Sequence, residues 1–148
     1  MNLRYGMEIR AATAAEAPGL ATLLAEAGLK VEPRDLAERL AALRQGPGTA
    51  LVALQWGPPS GVVLLHWHPA LTSGPVARLS LLLVAADQRR QGIGRLLLKA
   101  AAQAARVAGC ERIEIAAETP ELEAFCRATG FAEAGARFTR SLRKQGAG

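Results

Sequence analysis

One stretch constrains this chain more than any other. Leu79-Ser80-Leu81-Leu82-Leu83-Val84 reads as an apolar strand that runs out into a polar loop carrying Arg89 and Arg90. Gly92-Ile93-Gly94 then opens an apolar, alanine-rich helix, and a second strand returns at Arg112. Without side chains at the two glycines, a ligand can approach the backbone closely. The first N–H groups of a helix have no acceptor inside it, and the helix dipole favours negative charge there. A phosphate group is the natural guest. Arg89, Arg90, Arg95 and Lys99 surround the place with positive charge. The bland alternative is a helix start that needs a tight turn, with the cations solvating their helix face and loop. The β–loop–α–β context favours the anion cradle, because the charges converge on a helix start.

At 148 residues the chain fits a single domain, 1–148, with 143–148 as a loose tail. Half of its residues are hydrophobic, enough for one core. Apolar runs such as Leu79 to Ala86 are far too short to cross a bilayer, so no membrane partner is expected. Met1 to Met7 lacks the apolar core of a signal peptide. Cys110 and Cys126 provide neither a metal site nor a disulfide framework, and the expected setting is the cytoplasm, with reduced thiols. The net charge of +5 permits nucleic-acid binding. With only 4% aromatic residues, however, stacking platforms are scarce. A polyanionic small ligand accounts for the Arg89 to Lys99 cluster at least as well. Monomer and homodimer are both open.

Taken in order, Glu8 to Ala12 reads as a strand, and Thr13-Ala14-Ala15-Glu16 is a capping-box pattern that starts a helix. Pro33 starts a second helix with Leu36, Leu40 and Leu43 as its apolar stripe. Three strands follow at Thr49 to Gln55, Gly61 to His68 and Val76 to Val84. The long helix from Gly92 to Ala108 carries Ile93, Leu97, Ala100, Ala104 and Val107 on one face. Arg112 to Ala117 alternates as a strand, and Thr119-Pro120 starts a short helix. Phe131 to Ala134 and Arg137 to Leu142 are expected to pair as a final hairpin around Gly135. The expected class is α/β (α+β), of order β-α-α-β-β-β-α-β-α-β-β, with about seven strands and four helices.

A dinucleotide fingerprint competes for the glycine pair, with Glu118 as the ribose-binding acid. Leu97 occupies the third glycine position of that pattern, and Ala85 to Gln91 is long for its tight turn. The phosphate-loop pattern fails because no Gly-Lys-Ser/Thr follows. The stretch Arg89-Arg90-Gln91-Gly92-Ile93-Gly94 instead resembles the Arg/Gln-x-x-Gly-x-Gly/Ala motif of the GNAT family of acetyl-CoA-dependent N-acetyltransferases. Leu122 to Phe131, with Phe125 and Gly130-Phe131, resembles that family's later segment, and the element order agrees from Glu8 to Leu142. The first half of the chain matches only in element order.

The resemblance implies a mixed, splayed sheet with CoA wedged between the fourth and fifth strands. The backbone of Leu82 and Val84 would bond the pantetheine arm like an added strand, with Leu83 and Phe125 also at the cofactor. Backbone N–H groups of Gln91, Gly92, Ile93, Gly94, Arg95 and Leu96 would hold the pyrophosphate. The implied reaction is direct attack of an acceptor amine on the acetyl-CoA thioester, with a backbone N–H near Leu82 polarising the carbonyl.

The sequence departs from the family at the acid. Cys126 stands where members often carry tyrosine, and the only tyrosine is Tyr5. Cys126 is a candidate proton donor or, on the blander reading, a small buried core residue. Glu118, His66 and His68 are candidate bases. Glu118 also suits a solvated helix start, and the histidines share one strand face that could simply meet solvent. Ser80 could hold a water. A non-catalytic acyl-CoA-binding module is the alternative reading.

Overall fold

In the computed structural model, which describes residues 6–89 and 91–143, five strands form one sheet in the order β1-β2-β3-β4-β5. They are β1 (Glu8–Ala11), β2 (Gly48–Leu54), β3 (Gly61–His68), β4 (Val76–Val84) and β5 (Ile113–Ile115). The first four are antiparallel neighbours, and β5 runs parallel to β4. Tyr5, Arg90 and residues 144–148 of the expected tail lie outside the described residues. The chain divides into two compact units, Met1–Ile115 and Ala116–Gly148.

Local signals set the first unit's helices. The capping box forms: the Ala15 N–H donates to Thr13 Oγ1 at 3.3 Å, and the Thr13 N–H donates to Glu16 Oε1 at 2.7 Å. Arg10 Nη2 adds an ion pair to Glu16 at 2.9 Å. The residues that the box opens, Ala14–Glu16, form a 3-10 turn, which runs directly into helix α1 (Ala17–Glu26). Helix α2 (Pro33–Arg44) starts on its proline, whose missing N–H costs nothing in the first turn.

Each sheet face has its own core. On one face helix α3 (Ile93–Val107) lays Ile93, Leu97, Ala101 and Ala105 against Ala53, Val63, Leu65, Ala77 and Leu79. Leu65 and Leu97 are completely buried, and each such leucine contributes about 1.5–3 kcal/mol. On the other face α1 and α2 set Leu20, Leu23 and Leu40 over Val52 and Val62. Beyond Leu97 the buried stripe follows Ala101 and Ala105, with the expected Ala104 partly buried against the same core; the expected Ala100 is not in that core, and Val107 is 79% exposed. An alanine-rich helix offers apolar residues on several faces, so spacing alone does not select one.

The second unit contains α4 (Pro120–Ala128), capped by Thr119, whose Oγ1 accepts from the Leu122 N–H at 3.1 Å. Arg127 pairs with Glu123 and Glu133, and Arg137 pairs with Glu118. The expected hairpin at Phe131 to Ala134 and Arg137 to Leu142 is absent: these residues are neither strand nor helix, so the sheet has five strands, not about seven. Its apolar members remain in solvent, Phe138 at 91% and Leu142 at 92% exposure. An isolated hairpin without a buried face is marginal. The expected strand at Arg112 to Ala117 is likewise shorter, Ile113–Ile115.

Candidate functional site

Two backbone hydrogen bonds fix the geometry of β4. The Ala77 N–H donates to the Arg112 carbonyl, on the β5 side, and the Ala85 N–H donates to the Ser60 carbonyl, at the end of β3. In an unbroken strand, residues an even number apart point their amides the same way. Ala77 and Ala85 point opposite ways, so one residue is extra. Pairing with β3 locates it: Leu64 faces Leu81 and Leu65 faces Leu79, leaving Ser80 without a partner in the register. This is a β-bulge. Side chains confirm the change of phase. Ala77 and Leu79 face the α3 core before the bulge, and Leu82 and Val84 face it afterwards.

The bulge turns the backbone groups of Leu82 and Val84 toward the β5 side. Pairing with β5 ends at Leu79 and Ile115, whereas β4 continues to Val84. The last five residues of β4, 80–84, therefore have no strand partner on that side among the described residues, and an extended polyamide can add to such an open edge as a further strand. Beyond it lies the start of α3. Gly92 is the N-cap at φ +81°, a left-handed conformation that glycine adopts without strain. The Leu96 N–H, expected among the free amides, donates to the Gly92 carbonyl at 3.0 Å. The amides of Ile93, Gly94 and Arg95 precede it and have no acceptor among the described residues. Arg95 and Lys99 are exposed. Arg89 folds back, its Nε donating to the Val84 carbonyl at 3.4 Å.

Gly61 holds this helix start in place, and the sequence reading did not single it out. It pairs with Val84, and a Cβ there would lie 2.9 Å from Leu97 Cδ1, 3.0 Å from the Leu83 oxygen and 3.3 Å from Ile93 Cγ2. Only a missing side chain lets the first turns of α3 settle on the strand ends. A glycine beginning a strand beside a turn cluster gives no sign of that role.

The histidines share a sheet face, as their spacing requires. Leu65 and Trp67 face the α3 core, so His66 and His68 point to the opposite side. His66 is half-buried, and burial, then Arg78, then His68 hold its pKa below the usual imidazole value. His68 is exposed, with Nδ1 3.1 Å from the Pro69 carbonyl. Ser80 is exposed at the bulge. In the second unit Glu118 is 72% exposed and bound by Arg137 Nη1 at 2.8 Å. Cys126 is buried there, and burial followed by Glu123 raises its thiol pKa. Phe125 is half-buried in the same helix. Among the described residues no three His, Cys, Asp or Glu side chains gather to hold a metal, and no helix is long and apolar enough to cross a membrane.

Comparison with known proteins agrees with this architecture. The model of the acetyltransferase (GNAT) family matches residues 17–131. An acetyltransferase from Trypanosoma brucei is similar over 92% of this chain and 99% of its own, with TM-score 0.80 and 19% identity. Glucosamine-6-phosphate N-acetyltransferase from Arabidopsis thaliana is similar over 93% and 99%, with TM-score 0.81 and 13% identity. An aminoglycoside N-acetyltransferase in complex with CoA is similar over 97% and 99%, with TM-score 0.80 and 18% identity. No curated protein sequence matches the chain significantly. The class so defined is an acetyltransferase with a mixed α/β sheet. More particularly, the chain belongs to the GNAT family, N-acetyltransferases whose cosubstrate is acetyl-CoA.

Proposed function

We propose that this chain transfers an acetyl group from acetyl-CoA to a primary amine by direct attack within a ternary complex. The observation that carries the reading is the bulge at Ser80, which presents Leu82 and Val84 as an open edge leading to the amides at the start of α3. These residues fit the cosubstrate. The backbone groups of Leu82 and the Val84 N–H supply main-chain partners for the pantetheine amides, with Leu83 between them. Gln91, Gly92, Ile93, Gly94 and Arg95 supply N–H groups, and Arg89, Arg90 and Arg95 supply charge, for the diphosphate. When bound, acetyl-CoA supplies an activated acetyl thioester. The Leu82 N–H is suited to polarise its carbonyl oxygen.

The acceptor must lose a proton. Among the candidate bases, His66 has the most suitable setting: its lowered pKa keeps it neutral near pH 7, and it shares the face that Ser80 joins. Water at Ser80 can relay the proton. Glu118 is engaged by Arg137, and His68 is more exposed. Neither cysteine is suited to carry an acetyl group, since Cys110 and Cys126 are both buried. That favours direct transfer, with water protonating the departing thiolate.

Release of free CoA thiol over a panel of amines tests the reading. Turnover with intersecting initial-velocity lines is expected. Parallel lines would indicate a covalent acetyl-enzyme, and tight acetyl-CoA binding without turnover of any amine would favour the non-catalytic module.

A further inference from the structure

The sheet face opposite α3 changes character along its width. Under α1 and α2 it is apolar, but toward β4 and β5 it becomes charged. Register places His66, Arg78 and Glu114 side by side across β3, β4 and β5. All three lie on this face, since their strand neighbours Leu65, Ala77, Leu79, Ile113 and Ile115 pack on the α3 core. Glu114 accepts from two guanidinium groups: Arg78 Nη2 reaches Oε1 at 2.9 Å, and Arg112 Nε reaches Oε2 at 3.1 Å. One carboxylate cannot neutralise both, so the group keeps a net positive charge. It is also open to a ligand, with the Arg78 and Arg112 side chains 43% and 59% exposed. Beside it an open cavity of about 400 Å³ is lined by Arg39, Leu43, Pro47, His66 and Trp67 among others, and no carboxylate lines it. Arg78, directly across the strand pair from His66, is the permanent positive charge that acts on it.

From this row and cavity we infer that the acceptor is an amine that also carries an anionic group, a carboxylate or a phosphate, which docks at Arg78 while the amine lies at Ser80. The inference rests on the reading of the open β4 edge as the acetyl-CoA cleft, and it names the acceptor class for that cleft. Ser80 stands two residue steps beyond Arg78, roughly 7 Å along the strand. That span matches an amine and an anion about five bonds apart, longer than in an α-amino acid. A diamine of the same length would place a cation against the net positive charge of the Arg78–Arg112–Glu114 group, which is repulsive.

Three probes of equal length test this: 5-aminopentanoate, 3-aminopropyl phosphate and pentane-1,5-diamine. Calorimetry first measures CoA binding to the wild-type protein, and the CoA-loaded protein is then titrated with each probe. At least tenfold tighter binding of one or both anionic probes than of the diamine is expected, and the tighter of the two identifies the anion. The preference should fall below threefold in Arg78→Gln and weaken in Arg39→Gln, with CoA affinity unchanged within twofold in both. No measurable preference in the wild type, or a preference that survives Arg78→Gln, overturns the inference while leaving the acetyl-CoA cleft intact. Failure of the wild type to bind CoA overturns the cleft and the inference together.

Discussion

Replacing Gly92 by aspartate or by asparagine isolates the effect of charge at the proposed diphosphate site on the α3 start. Gly92 is exposed and sits at φ +81°. Aspartate and asparagine both tolerate this region better than other side chains, and both can cap a helix. Their shared backbone cost, about 1 kcal/mol, therefore cancels when the two variants are compared. What differs is one negative charge. At roughly 6 Å and an effective dielectric of about 20, it repels each diphosphate charge by about 3 kcal/mol, which a Debye length of about 8 Å roughly halves. Two such charges give about 3 kcal/mol, or about a hundredfold in affinity. Isothermal calorimetry with CoA should show Gly92→Asp binding about a hundredfold more weakly than Gly92→Asn, and the gap should narrow as salt rises. Equal affinities within threefold, in two variants that melt alike, would remove the anion cradle from this helix start.

Further outcomes follow from the same geometry. Gly61→Ala forces a Cβ into the contact with Leu97 and the Leu83 oxygen, and urea unfolding should show a loss of about 1–3 kcal/mol. The Arg10 guanidinium, then the Thr13 amide, hold the Glu16 carboxyl at about 2 in place of 4.5. Because the folded value lies below the unfolded one, this contribution is complete above about pH 5 and is lost as the pH falls toward 2. Thermal melts across that window should show Glu16→Gln less stable than wild type at pH 6, with the difference closing in acid. Cys126→Ala should keep acetyl transfer within about threefold of wild type, because its burial fits packing. A hundredfold loss with intact CoA binding would instead make the thiol the acid.

Much of the fold is legible in the residues because local chemistry and tertiary packing agree there. Thr13 and Glu16 form a capping box, Pro33 starts α2 and Thr119 caps α4. The alternation of His66, Trp67 and His68 gives the correct shared face because one side of β3 is fully apolar. The C-terminal hairpin misleads for the opposite reason. Phe138 and Leu142 share the parity of a strand within Arg137 to Leu142, but spacing does not show whether a surface exists to cover them. The structure leaves Phe138 and Leu142 in solvent.

The bulge explains why the site itself is only half legible. Leu81, Leu82 and Leu83 are the same residue, so a shift of one position leaves the sequence pattern unchanged while every side chain and amide changes side. The glycine pair marks the proposed phosphate position, but nothing in a leucine run tells which of its amides face the open edge. Arg78 was the available signal: a charge within the apolar run Val76 to Val84 needs a partner or a solvated face, and the structure gives it both. The same parity that frees Leu82 and Val84 sets Arg78 and Ser80 on the opposite face, beside His66. One inserted residue therefore separates the proposed donor edge of this sheet from its proposed acceptor face. Deleting Ser80 would restore an unbroken alternation and turn the Leu82 amide back toward β3.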